Sequence, residues 1–214
     1  MIVVVRHGRT AANAGGLLLG RADPPLDAEG ERQAAALAAA CADLDVARIV
    51  TSPLDRCRAT AAALAAGLGP AEPDAAAAPV PGSAGPRLPV VVDDRWVELD
   101  YGELDQRPLA DVPADVWTTW RSDVTWAPPG GESLAALGVR VRAACDHLVA
   151  DAVERDVVVV SHVSPIKAAV AWALGVGDEV AWRLWVAPAS VTRIGVGRGG
   201  VPALRGFNDL AHLA

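Results

Sequence analysis

Residues 1–10 read MIVVVRHGRT. Ile2–Val5 is apolar at every position, the pattern of a strand buried on both faces. Such strands belong to parallel sheets covered by helices. The run then breaks into Arg6, His7, Gly8 and Arg9. A core strand has no use for those residues. Whatever lies beyond its carboxyl end calls for positive charge and an imidazole.

The same signature returns in DVVVVSH, Asp156–His162, where Val157–Val160 reads as a second buried strand ending on a histidine. Shorter strands are expected at Ala47–Thr51, Pro89–Val92 and Ser190–Val196. Helical patterns lie between them. Asp27 can cap a helix running to about Asp43, with Glu29 and Glu31 in its first turn. Ser52-Pro53-Leu54-Asp55 reads as a helix start with Ser52 as N-cap, running to Leu68. Further helices are expected from GGES (Gly130–Ser133) to Ala152, and from Ser164-Pro165 to Leu174. Strands alternating with helices predict an α/β protein: a three-layer α/β/α sandwich with a mostly parallel central sheet. Residues 69–89 are rich in Pro, Gly and Ala and read as a mobile loop within a single domain spanning 1–214. Residues 101–131 carry Trp117, Trp120 and Trp126 and read as a small helical cap over one end of the sheet.

Composition narrows the function. The chain has 214 residues, enough to bury most of its apolar surface. It is 52% hydrophobic and 21% charged, with a net charge of −7. An acidic chain argues against nucleic acid as a partner, so any basic cluster is local and aimed at a small anion. No run is long and apolar enough to suggest a membrane span, and MIVVV is too short for a signal-peptide core, so a cytoplasmic protein is expected. Cys41, Cys57 and Cys145 lack metal spacing and read as reduced, small apolar residues. Cys57 stands apart because Arg56 and Arg58 flank it.

In parallel α/β sheets ligands bind beyond the carboxyl ends of the strands. Arg6, His7 and Thr10 leave the first strand there, His162 leaves another, and Arg56 follows a third. Two histidines and two arginines at one rim suit phosphoryl transfer. Guanidinium groups bind phosphate oxygens in bidentate fashion and spread transition-state charge. A neutral imidazole can attack phosphorus in line. Gly8 would let the loop approach the phosphate closely. The leaving alkoxide needs a proton, which calls for a buried carboxylic acid nearby.

RHGRT, TSPLDRCRAT (Thr51–Thr60), ELDYGEL (Glu98–Leu104), PPGGES (Pro128–Ser133) and VVVVSH (Val157–His162) together resemble the histidine phosphatase superfamily, the phosphoglycerate mutase-like group. The resemblance extends from Ile2 to the FNDLAHL tail. It implies that His7 is the phosphorylated nucleophile and that Arg6 and Arg56 clamp the phosphate. It implies that His162 donates a hydrogen bond to phosphate oxygens and that Glu98 is the proton donor. Thr10 and Asn13 match further phosphate-loop positions. No metal or other cofactor is implied. The chain departs from the family pattern in two places. Val163-Ser164-Pro165 follows the second histidine where glycine is usual, and Leu19-Gly20 stands where mutases often have Thr-Gly.

Several assignments stay open at this level. Asp94, Asp100 or Glu103 could replace Glu98 as the acid. Arg9 and Arg21 read equally as ligands of a second anionic group on the substrate and as solvated charges. Lys167, the only lysine, either faces water or meets a nearby anion. Arg58 and His147 read as surface residues, and His212 as structural. Trp126 could wall the pocket. Trp172, Trp182 and Trp185 read as core or as the interface of a homodimer. The leading functional reading is hydrolysis of a small phosphorylated metabolite. The alternatives are a cofactor-dependent phosphoglycerate mutase-type phosphotransferase and a non-catalytic phosphometabolite-binding module. A metallohydrolase lacks clustered ligands at metal spacing. Similarity of Trp120–Ser133 and Ser161–Lys167 to actinobacterial sugar-phosphate and ribazole-phosphate phosphatases of the superfamily hints at a sugar- or nucleoside-type phosphate.

Overall fold

The computed structural model describes residues 1–69, 88–197, 199 and 201–214. Strand β1 (Ile2–Arg6) is followed by a short helix α1 (Ala11–Ala14), helix α2 (Ala28–Ala40), strand β2 (Val46–Thr51) and helix α3 (Asp55–Leu68). Then come β3 (Val90–Val92), α4 (Ala114–Ser122), α5 (Leu134–Glu154), β4 (Asp156–Ser161), α6 (Val163–Leu174), β5 (Val191–Val196) and β6 (Pro202–Asp209). The expected loop at residues 69–89 lies almost entirely outside the described residues.

The six strands form one sheet in the order β3-β2-β4-β1-β5-β6. The first four run parallel, and β5 and β6 are antiparallel additions at one side. Strand alternation divides the core. Ile2, Val4, Val157 and Val159 pack on one face with Leu137, Val141 and Leu148 of α5 and Ile166 of α6. Val3, Val5, Val158 and Val160 pack on the other with Leu37 of α2 and Cys57, Ala61 and Leu64 of α3. The three-layer expectation therefore holds. The continuous valine runs exist because both faces of β1 and β4 are dry.

This arrangement fixes the site. Strands β1 and β4 are neighbours, with Arg6 opposite Ser161. The chain leaves β1 toward α2 on one face and leaves β4 into α6 on the other. The two exits diverge and open a crevice at the carboxyl rim, the switch point of an open α/β sheet.

Two helix starts and one strand differ from expectation. Helix α3 begins at Asp55 with Leu54 at the N-cap, and no side chain of its own start caps it. Ser52 stays in the sheet layer, its N–H donating to the Val160 carbonyl at 3.0 Å. The Asp55 N–H is satisfied instead by Asp23, a residue of the β1–α2 connection, at 2.8 Å. Helix α6 begins at Val163, with His162 as N-cap. Strand β6 has no counterpart in the expected elements, because PALRGFND mixes Pro, Gly and charge and carries no strong apolar signal. The Asp27 cap forms as expected, accepting from Gly30, and Ser133 caps α5, accepting from Ala136.

Gly8 and Gly30 sit against each other where the β1 loop crosses α2. A Cβ on Gly8 would collide with the Gly30 carbonyl, and one on Gly30 with the Arg9 carbonyl. Helix contact by itself thus requires glycine after His7.

Candidate active site

At the rim, Arg6, His7, Arg56, Glu98 and His162 are all buried. His7 and His162 leave adjacent strands, and the His7 N–H donates to the Ser161 carbonyl at 3.0 Å. Their rings meet edge to face, with centroids 5.1 Å apart. Arg56 comes from the first turn of α3 and Arg6 from the last residue of β1.

The tautomer of His7 follows from its partner. Nδ1 lies 2.7 Å from the Gly8 carbonyl oxygen. A carbonyl can only accept, so Nδ1 carries the hydrogen. Burial, reinforced by Arg6 and then Arg56, holds the pKa of His7 well below the usual histidine value. The ring is therefore neutral at neutral pH, and Nε2 keeps its lone pair. That is the form a nucleophilic imidazole needs. The same causes, burial first and then Arg56, His7 and Arg6, keep His162 neutral.

The two arginines are held by backbone carbonyls. Arg6 Nη1 donates to Val186 at 2.7 Å. Arg56 Nη1 donates to Ala22 at 2.7 Å, and Nη2 to Gly20 at 2.8 Å. Asp23 Oδ1 lies 3.3 Å from Arg56 Nη1. Burial lowers Arg6 to about 10, with Glu98 opposing the shift, so it stays cationic at neutral pH. In both residues Nε–H is buried and finds no acceptor among the described residues. Two buried cationic donors left unpaired are costly unless an anion comes to them.

Glu98 borders the same cavity, of about 360 Å³, as Arg6, His7 and Asn13. Its Oε1 accepts from the Leu99 N–H at 2.7 Å and from the Ser164 N–H at 3.2 Å. The second donor belongs to the first turn of α6, whose N–H groups have no partner within the helix. Among the rival carboxylates, Asp94 and Glu103 are exposed, and Asp100 accepts from the Gly102 N–H. None of the three lines this cavity.

Thr10 and Asn13 form a reciprocal cap at α1. The Asn13 N–H donates to Thr10 Oγ1, and the Thr10 N–H to Asn13 Oδ1. Thr10 is spent on that cap, while Asn13 also faces the cavity. Arg9 and Arg21 are not brought in. Arg9 Nε pairs with Asp27 at 2.8 Å, and Arg21 lies near Asp100 and Glu132. Their side chains are 40% and 41% exposed, and neither borders the cavity. Arg56 and His162 do not border it; the Nε2 of His162 is 2.8 Å from Ser52 Oγ. Arg58 and His147 are exposed, as expected.

Sequence reasoning missed several supporting groups. Arg140 of α5 pairs with Glu132 and donates to the carbonyls of Arg95, Val97 and Glu98, fixing the segment that carries Glu98. Asp105 accepts from the N–H groups of Gly20 and Ala22, whose carbonyls hold Arg56. Ser52 positions His162. Lys167 lines the cavity, with its pKa lowered by burial. Cys57 touches His162 at 3.3 Å, and burial pushes its thiol pKa up, so it is no thiolate. Trp185 also lines the cavity, whereas Trp126 does not.

The sequence pattern of the histidine phosphatase superfamily (branch 1) matches residues 2–210. A bifunctional protein of Mycobacterium tuberculosis is 32% identical over 99% of this chain, which spans 54% of that relative's length. A probable phosphoglycerate mutase of Yersinia enterocolitica is 31% identical, over 90% of this chain and 83% of its own. A mycobacterial glucosyl-3-phosphoglycerate phosphatase superposes with a TM-score of 0.80 at 30% identity, covering 98% of both chains. Among the described residues no helix is long and apolar enough to cross a membrane.

Proposed function

The chain belongs to the histidine phosphatase superfamily, and from that premise we propose that it hydrolyses a small phosphomonoester through a phosphohistidine on His7. The observation that carries this reading is the hydrogen bond from His7 Nδ1 to Gly8, which leaves the Nε2 lone pair free on a ring that lines one cavity with Arg6 and Glu98.

In the first step Nε2 attacks phosphorus and the bond to the ester oxygen breaks. Glu98 gives its proton to the departing alkoxide. The Gly8 carbonyl, accepting from Nδ1–H, stabilises the positive charge that forms on the ring. Arg6 and Arg56 bind the non-bridging oxygens as negative charge shifts onto them. In the second step water attacks phosphorus, Glu98 takes the water's proton, and inorganic phosphate leaves with His7 restored. Donation from His162 to a phosphate oxygen would need its ring N–H to leave Ser52 or turn from Cys57.

The test is His7→Ala with a simple aryl phosphate. Turnover should vanish, and a quenched wild-type reaction should carry label from the phosphoryl group on His7. A residual rate above about one hundredth of wild type counts against the nucleophile. With a phosphoglycerate, release of inorganic phosphate matching alcohol formed is expected. Isomer without phosphate release would make the enzyme a mutase.

A further inference from the structure

Beside the catalytic cavity lies a second, of about 160 Å³, whose wall is aromatic. Trp117, Trp120, Trp182 and Tyr101 line it, together with Leu99 and Leu134. Trp120 is the hub: its ring centroid is 5.6 Å from Trp117, 5.6 Å from Trp182 and 5.7 Å from Tyr101. Leu18, Tyr101, Val163 and Lys167 line both cavities, so the aromatic one begins where the phosphate end stops.

Resting on the phosphatase reading above, we propose that the alcohol part of the substrate carries a single planar apolar ring that enters this aromatic cavity. Size supports it, since an apolar protein cavity of about 150 Å³ stays dry and takes up benzene. Chemistry supports it as well. Two hydroxyls line the cavity, those of Tyr101 and Ser164, 3.4 Å from each other; its other polar side-chain groups are donors only, among them the Lys167 ammonium and the indole N–H groups of Trp120 and Trp182, both buried and unpartnered among the described residues. A sugar ring placed there would bury several O–H donors with only those two oxygens as side-chain acceptors, which is costly. A flat apolar ring meets indole faces instead and adds edge-to-face contacts. Among the described residues Lys167 is the one cation that borders both spaces.

The experiment compares kcat/KM for 2-phenylethyl phosphate, n-propyl phosphate and glucose 6-phosphate, whose leaving groups are all alkyl alcohols. It uses the wild-type chain and Ala181→Leu. Ala181 lines the aromatic cavity and takes no part in the chemistry. The wild type should favour the phenyl ester over the propyl ester by about tenfold or more, the scale of burying a ring-sized apolar group. Ala181→Leu should erase that margin and leave the propyl ester within about twofold. Equal rates for the two esters, preference for the sugar phosphate, or a margin that survives in Ala181→Leu would overturn the proposal. Titration of the wild type with 2-phenylethanol, read by tryptophan fluorescence, tests the cavity without turnover. Saturable quenching is expected with it and not with n-propanol, and identical responses count against the ring. Failure to hydrolyse all three esters, with quenching intact, would sink the phosphatase reading and leave the cavity's preference standing.

Discussion

The two ends of the crevice are built on opposite principles. The end proposed to bind phosphate is made of charged and polar groups, each fixed by a backbone carbonyl or N–H: Arg56 by Gly20 and Ala22, Arg6 by Val186, His7 by Gly8, Glu98 by Leu99 and Ser164. The other end is made of rings packed on rings, with almost no directed bonds. Directed bonds hold a few atoms to tight geometry, as reaction with one invariant tetrahedral group demands. Ring packing sets a volume and a polarity, as recognition of a variable leaving group demands. The comparison teaches that rate and selectivity should be separable by mutation in this molecule.

The strongest way to break that division is Arg56→Met. Loss of one buried donor to the transferring phosphoryl group should cut kcat/KM by about a thousandfold, and by the same factor for every ester. A loss that varies with the alcohol would tie Arg56 to leaving-group recognition. Glu98→Gln should be next, slowing alkyl phosphates by about a hundredfold while nitrophenyl phosphate, which needs no protonation on leaving, is nearly spared. Equal slowing of both would move the proton donor elsewhere.

The phosphate end was the more legible in sequence for a physical reason. Its residues must follow strand ends, so Arg6, His7 and His162 announce themselves as charge at the edge of a valine run. Arg56 is legible as the first turn after β2. The restraints on those residues are not. Carbonyls of Gly20, Ala22 and Val186 act through backbone, which leaves no mark on residue type. Asp23 as the cap of α3 and Asp105 as the clamp on the Gly20 loop are contacts between distant segments. Arg9 and Arg21 show the converse. They resemble ligands on paper because they neighbour the motif, yet each is turned toward carboxylates. The aromatic end was half legible. Trp117 and Trp120 stood out, but Trp182 joins them from a segment after α6, and no period in the sequence links the two.

A smaller effect separates the ends by acid. The depressed values of His7 and His162 mean that the unfolded chain binds protons which the folded one refuses. Their contribution to stability is intact above the unfolded value near 6.5 and is lost as pH falls below it, by up to about 1.4 kcal/mol per pH unit for each ring. Urea midpoints taken at decreasing pH should fall, and His162→Asn should fall less steeply. Parallel slopes in the two proteins would show that His162 does not resist protonation. The smallest effect expected is that of Arg9→Ala. Its guanidinium serves Asp27 at the start of α2, so kcat/KM should stay within about threefold for any ester, as for exposed ion pairs generally. A drop of tenfold in steady-state assays would return Arg9 to the substrate.

The glycine pair where the β1 loop crosses α2 bears on anyone wishing to make this protein hardier. Replacing a helical glycine by alanine is a routine route to heat resistance, commonly worth about 0.5–1 kcal/mol. Gly30 would look like an obvious choice. A methyl group there would collide with the Arg9 carbonyl, two residues from His7, so the substitution would cost stability where it is meant to add it and would shift the loop that carries the proposed nucleophile.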